Sequence, residues 1–264
     1  MPLLKTSHAT IHFTDTGGDQ SPIVLSHGFF MDGEMFTPQV DEFADEYRII
    51  TVDARRHGRT EDDGSAFTYW DLARDVVAVL DHLGIDSAVI GGMSQGGYIA
   101  LRMALLDPSR VRALLLLDTE AASSTPEQKQ MYRELFANWC SDAPLEPLAA
   151  MLAPQLIGGG PQDWEPWLKK WRASDRPAIA PAAECLIERD AVTDRLPEIE
   201  VPALGVRGEL DGSAVEERAE ELVAGLPNAR PVVTVPGAGH AANWTHPEPV
   251  NAALREFLAD IPVG

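Results

Sequence analysis

The sequence is short of several features that would direct its function elsewhere. Two cysteines, Cys140 and Cys185, are its whole complement in 264 residues. They offer neither a disulfide framework nor a metal-ligand spacing, and both are expected to be reduced packing residues. No apolar run approaches the ~18 residues that a membrane span needs, so no membrane partner is expected. The opening stretch, MPLLKTSHATIHF, lacks a basic region followed by an apolar stretch of signal-peptide length, and a cytoplasmic location is the expectation. Cations are scarce: 21 Lys and Arg face 41 Asp and Glu, a formal net charge of −20. Nucleic acids and anionic membranes are bound through Lys and Arg clusters, which argues against both. The acids form no block of like charge and belong on solvated faces. Internal repeats and low-complexity tracts are missing, as are the phosphate-cradling patterns G-x-x-x-x-G-K-[ST] and G-x-G-x-x-G. No His, Asp and Glu cluster has metal spacing, so neither a metal nor a cofactor is expected.

What is present is a globular composition, 45% hydrophobic and 23% charged, on a chain long enough for one large core. Short apolar runs predict strands at Thr10–Thr14, Ile23–Ser26, Arg48–Val52, Ala88–Met93, Val111–Asp118, Ala203–Arg207 and Pro231–Val235. Several are continuously apolar, as strands buried on both faces of a parallel sheet should be. Helical spacing links Leu72, Val76, Val79, Leu80 and Leu83. Thr68 to Asp71 forms a capping-box pattern before them, and Gly84 is a stop after them. Val215, Leu222 and Leu226 mark a second helix, and Val250, Leu254, Phe257 and Leu258 a last one. This alternation predicts an α/β fold with an open, mostly parallel sheet flanked by helices. Residues 121–197 break it: helix-like pieces, the breaker Gly158–Pro161 and four of the six tryptophans, without a convincing strand. They are expected to be a helical cap inserted in a core domain of residues 1–120 and 198–264.

The chemistry concentrates in GMSQG, Gly92 to Gly96, between an apolar strand and an apolar helix. A G-x-S-x-G turn in that context strains the serine backbone and leaves room only for very small residues two positions away. Ser94 would then stand above the strand end, beside the positive end of a helix dipole. A serine hydroxyl needs a base and a group that orients the base. His240 lies in the small-residue loop VPGAGHAANW and Asp211 in GVRGELDGSAV, each just past a predicted strand. Both therefore return to the carboxyl edge of the sheet, where ligands and catalytic groups gather. Asp118 and Glu120, past the strand that begins at Val111, are the alternative acids. Asp194 is read as a linker or capping residue. An oxyanion needs donors, and the backbone amides of Phe29 and Gln95 are the candidates.

These motifs resemble the α/β-hydrolase fold family, in particular its small, cofactor-independent serine hydrolases. HGFFMDGEMF, ITVDARRHGRT, GGMSQGG, VRGELD and GAGH recur in family order over nearly the whole chain outside residues 121–197. Two positions depart from the pattern. Arg56 stands where the family usually has glycine, and Gln95 where this group often has methionine. The order Ser94, Asp211, His240 is the family's triad order. The resemblance implies a carboxylesterase or lactonase with an acyl-enzyme intermediate. Perhydrolysis, C–C bond hydrolysis or a non-catalytic small-molecule receptor are the alternatives on the same fold. Haloalkane dehalogenases and epoxide hydrolases place an aspartate where this chain has Ser94. Phe30 and Met31 are candidate pocket wall. Trp164, Trp167 and Trp171, spaced to share one helix face, are candidates for the pocket or for packing within the insertion or onto the sheet domain. His27 and His57 are expected to bond backbone. A small-molecule ester or lactone is the expected partner, and a homo-oligomer is left open.

Overall fold

The computed structural model describes residues 2–262; Met1, Val263 and Gly264, the outermost positions of the expected core domain, lie outside it. Among the described residues nine strands form one sheet: β1 (Leu3–Lys5), β2 (Ala9–Asp15), β3 (Pro22–Ser26), β4 (Arg48–Val52), β5 (Glu61–Asp62), β6 (Ala88–Met93), β7 (Val111–Leu117), β8 (Ala203–Gly208) and β9 (Val233–Val235). Their order is β1-β2-β4-β3-β6-β7-β8-β9, with β5 paired to β2. From β4 to β9 every pairing is parallel, while β2 pairs antiparallel with its neighbours. The central strands β6, β7 and β8 carry continuous apolar runs because helices cover both faces. Only β1 and β5 lack a counterpart in the sequence reading. They are three and two residues long, and nothing in so short a stretch marks a strand.

The core helices are α1 (Thr37–Phe43), α2 (Tyr69–Leu83), α3 (Gln95–Leu106), α8 (Glu216–Gly225), α9 (Ala242–Thr245) and α10 (Pro247–Leu258). In α2 the capping box forms as predicted: the Thr68 hydroxyl accepts from the Asp71 amide, and the Asp71 carboxylate accepts from the Thr68 amide. Gly84 closes the helix at φ 66°, a left-handed conformation that a side chain resists. Leu72, Ala73, Val76, Val79 and Leu80 are its buried face.

Between β7 and β8 lie α4 (Pro126–Trp139), α5 (Leu145–Leu156), α6 (Pro161–Ala173) and α7 (Ala180–Ile187), joined with short 3₁₀ turns. No strand interrupts them among the described residues. A capping box opens α4 at Thr125 and Gln128, and the glycines before Pro161 separate α5 from α6. This segment leaves the sheet at the carboxyl end of β7 and touches the loops after β3 and β9, where the Trp171 indole donates to the Phe30 carbonyl and the Ala241 amide to the Ile157 carbonyl.

Candidate active site

β6 ends at Met93 and α3 begins at Gln95, so Ser94 alone makes the turn. Its φ of 52° and ψ of −112° are a strained pair for a residue with a side chain. Neighbours hold it there. The Ser94 amide donates to the Leu117 carbonyl (2.9 Å), and its own carbonyl accepts from Gly97 N (2.9 Å) and Thr119 Oγ1 (2.8 Å). The flanking glycines are required by contact. A Cβ on Gly92 would lie 2.3 Å from the Gly96 carbonyl carbon, and one on Gly96 only 1.8 Å from the Ser26 carbonyl oxygen. Ser94 remains partly accessible, and its hydroxyl makes no hydrogen bond among the described residues.

Asp211 follows β8 and His240 follows β9, at the same edge. Their loops touch: a Cβ on Gly208 would meet the Gly239 carbonyl oxygen at 2.1 Å. His240 Nδ1 lies 2.9 Å from Asp211 Oδ2, with both residues buried. The other carboxylate oxygen, Oδ1, accepts from the amides of Ser213 (2.7 Å) and Ala214 (3.1 Å). Burial pushes the Asp211 pKa up, but the His240 charge, its hydrogen bond and the two amides together hold it below the usual carboxylate value. Burial pushes His240 down, yet Asp211 outweighs it and raises the imidazole above its usual value. A carboxylate on Nδ1 selects the tautomer with that nitrogen protonated and leaves Nε2 as a base.

Of the three competing acids, Asp211 is the one bonded to the imidazole. Asp118 is buried at φ 47° and accepts from Gly208 N (2.7 Å) and Ala242 N (3.3 Å), tying the Asp211 and His240 loops to the end of β7. Burial and the nearby Asp211 push its pKa well above the usual carboxylate value. Glu120 is engaged by buried Arg189, Nη2 to Oε1 2.6 Å. Asp194 lies in the 3₁₀ turn before β8.

The loop after β3 is shaped by His27, whose Nε2 accepts from Ala54 N (3.0 Å) while Nδ1 donates to the Gly28 carbonyl (2.8 Å). The amides of Phe29 and Gln95 have no hydrogen-bond partner among the described residues. For Gln95 this is the ordinary state of the first amide of a helix. His57 Nδ1 pairs with the Arg55 carbonyl (3.0 Å), and burial beside His27 drives its pKa down to about 3.

Phe30 and Met31 line a cavity of about 350 Å³ between this loop and α4 and α6, together with Trp139, Trp171, Ile179 and the polar rim of Asp32, Arg59 and Lys170. Of the three tryptophans that share a face of α6, only Trp171 lines it. The Trp164 indole donates to the Gly158 carbonyl (2.5 Å), and Trp167 packs edge-on against Trp244 at 5.5 Å. Trp139 was missed, although Tyr132, Phe136 and Trp139 repeat at the same helical spacing. Arg56 adopts φ 65°, the left-handed region that favours glycine, and forms an ion pair with Asp62, whose side chain is buried. Among the described residues no group of three His, Cys, Asp or Glu could hold a metal ion, and no helix is long and apolar enough to cross a membrane.

Residues 21–247 match the alpha/beta hydrolase fold family. A 2-hydroxy-6-oxononadienedioate/2-hydroxy-6-oxononatrienedioate hydrolase of Paraburkholderia phymatum is 32% identical, over 94% of this chain and 90% of its own. A thermophilic esterase from Thermogutta terrifontis superposes with a TM-score of 0.88 at 30% identity, covering 98% of each chain. The enol-lactonase from Burkholderia xenovorans does so at 0.87 and 25% identity, over 98% of this chain and all of its own.

Proposed function

The chain belongs to the alpha/beta hydrolase fold family, and from that premise we propose that it is a serine hydrolase cleaving a carboxylic ester or a lactone. The supporting observation is the 2.9 Å bond between His240 Nδ1 and Asp211 Oδ2, at the sheet edge where Ser94 is held in a strained turn. Ser94 Oγ attacks the substrate carbonyl while His240 Nε2 takes its proton. Asp211 holds the imidazole tautomer and stabilises the imidazolium that forms. The carbonyl oxygen becomes an oxyanion facing the Phe29 and Gln95 amides, two donors with nothing else to bind. Collapse of the tetrahedral species breaks the C–O bond. His240 returns the proton to the leaving alkoxide, which departs as an alcohol or, from a lactone, stays tethered to the acyl group. Water then adds to the acyl-Ser94 ester with His240 as base, and the carboxylic acid is released.

Residues 121–197 act as a helical cap over a core of residues 1–120 and 198–264. Phe30, Met31, Trp139 and Trp171 line a cavity that Ser94, Asp211 and His240 do not border, so they supply an apolar wall for an arm of the substrate distal to its carbonyl. Trp164 and Trp167 serve the packing of the cap instead. The test is turnover of a panel of p-nitrophenyl esters and aliphatic lactones with the unaltered chain and Ser94→Ala, together with fluorophosphonate labelling. Turnover and labelling that both disappear in Ser94→Ala support the reading, whereas unchanged turnover in Ser94→Ala sinks it. Labelling of Ser94 without multiple turnover favours the receptor alternative.

A further inference from the structure

The oxyanion loop leans on the segment between β7 and β8 for more than a roof. Met31 N donates to the Gly28 carbonyl (3.2 Å), closing a four-residue turn with Phe29 and Phe30 at its centre. Phe30, the second central residue, has φ 63°. Turns that need a positive φ there ordinarily use glycine, and a bulky side chain costs on the order of 1–2 kcal/mol. The conformation persists because the Phe30–Met31 peptide is held at both ends. Its N–H is on Gly28, and its carbonyl accepts the indole N–H of Trp171 from α6 at 2.8 Å. Trp171 is buried, and its ring lies 6.0 Å from that of Phe30. The preceding residue of α6, Lys170, binds the Asp32 carboxylate (2.7 Å) and Glu34 (2.8 Å), two and four residues past Phe30.

We propose that Trp171 is a positioning residue: its indole N–H fixes the Phe30 carbonyl, and through that peptide the turn that aims the Phe29 amide at the oxyanion. The inference rests on the serine-hydrolase reading and on Phe29 as an oxyanion donor. Under it, the oxyanion hole is complete only while α6 is seated, so the cap gates the chemical step as well as access.

Trp171→Phe keeps an aromatic ring and deletes the donor. Replacement of Trp171 with benzothienylalanine keeps the bicyclic shape as well and is the variant to use if Trp171→Phe does not fold. A donor held slightly off its line should cost less than the 10²–10³ that follows its outright removal, so kcat is expected to fall roughly tenfold or somewhat more. In the benzothienylalanine variant, which keeps the wall that Trp171 gives the cavity, KM should move by less than about twofold, because the ground-state carbonyl depends little on the donor; Trp171→Phe also thins that wall, so for it kcat and inhibition are the readouts. Inhibition by an alkyl trifluoromethyl ketone, whose adduct with Ser94 is itself an oxyanion, should weaken by the same factor as kcat. A folded benzothienylalanine variant with unchanged kcat and unchanged inhibition overturns the positioning role. So does a loss confined to KM, which is what a purely packing role would give. If the unaltered chain is not labelled at Ser94 by a fluorophosphonate, the serine-hydrolase reading falls and this inference with it. Labelling at Ser94 combined with a fully active variant overturns this inference alone.

Discussion

Gly96→Ala adds one methyl group at the tightest point of the proposed nucleophile turn. In the observed backbone that Cβ would sit 1.8 Å from the Ser26 carbonyl oxygen, 2.5 Å from its carbon and 3.2 Å from its Cβ. Real Cβ atoms essentially never approach within 3.0 Å, so the first turn of α3 and the end of β3 must separate by about 1.2 Å. Neither side yields cheaply. Ser26 is paired in register with Gly92 across the β3–β6 ladder, and α3 begins directly after Ser94. Overpacking against backbone on both sides belongs at the upper end of its usual range, about 3 kcal/mol. For a chain of this size that is a fall of roughly 6–12 °C in Tm. Gly84→Ala is the control: nothing lies within 4 Å of its Cβ, and its φ of 66° leaves only the left-handed penalty, about 1–2 kcal/mol. The two variants should differ most in activity. A displacement of Ser94 by about 1 Å is worth on the order of 10² in kcat, whereas Gly84 lies at the far end of α2 and should leave kcat unchanged. Thermal melts and kcat on a p-nitrophenyl ester, normalised to folded protein, make the comparison. If Gly96→Ala melts within about 3 °C of the unaltered chain and keeps its kcat, the steric account of the turn is wrong.

Asp211→Asn should reduce kcat by about 10⁴, because an amide on Nδ1 can stabilise the wrong imidazole tautomer. Asp118→Asn should cost far less, and a larger loss there would move the acid to Asp118. Because Asp211 raises the His240 pKa and the base must be neutral, kcat/KM should rise with pH through a midpoint above 6.5. A midpoint at or below that value would refute the electrostatic reading. The same shift makes His240 favour the folded state most fully below pH 6.5, a contribution lost as pH rises through the higher folded pKa. Arg56→Gly relieves a left-handed residue, worth about 1 kcal/mol, but strands the Asp62 carboxylate, whose side chain is 1% exposed, at about 3 kcal/mol or more. Net destabilisation is expected in urea unfolding, with recovery in the double variant that adds Asp62→Asn; a more stable single variant would refute the pairing argument.

The sheet was legible in the sequence chiefly because its central strands are buried on both faces and therefore read as apolar runs. β2, β3, β4, β6, β7, β8 and β9 fall where the strands are expected, and α2 ends where Gly84 said it would. What escaped were elements too short to carry a pattern, β1, β5 and α9, and α1, whose seven residues bury only Gln39 and Phe43. Ser94, Asp211 and His240 stood out because each follows a strand in a loop of small residues. The sequence favours Asp211 over Asp118 and Glu120 although all three sit past strands at one edge, and in the structure Asp211 is the one whose carboxylate bonds the His240 imidazole. The aromatic wall was harder still. Helical spacing shows which residues share a face, as Trp164, Trp167 and Trp171 do, but not what that face meets. Trp167 met Trp244, and Trp171 met the Phe30 carbonyl.

One regularity lies beyond sequence reasoning because it runs against propensity. Among the described residues, the non-glycine residues with positive φ are Phe30, Arg56, Ser94 and Asp118. A reading by propensity would assign such backbone to glycine, so Phe30 and Asp118 do not announce themselves, whereas the G-x-S-x-G turn signals Ser94 and the glycine that Arg56 replaces signals Arg56. Phe30 and Arg56 each lie four residues past the ends of β3 and β4, and Ser94 and Asp118 one residue past the ends of β6 and β7. Those strands are consecutive in the sheet, β4-β3-β6-β7, so the strain occupies one edge of four neighbouring strands. Each such residue costs on the order of 1–3 kcal/mol and persists only where its surroundings over-determine it. The surroundings differ in each case: Trp171 and the aromatic cluster for Phe30, Asp62 for Arg56, Leu117 and Thr119 for Ser94, Gly208 and Ala242 for Asp118. Packing spread over the whole sheet therefore supports distortion on one edge. That is the distribution expected if these four loops are shaped by what they must present to a substrate rather than by the stability of the fold.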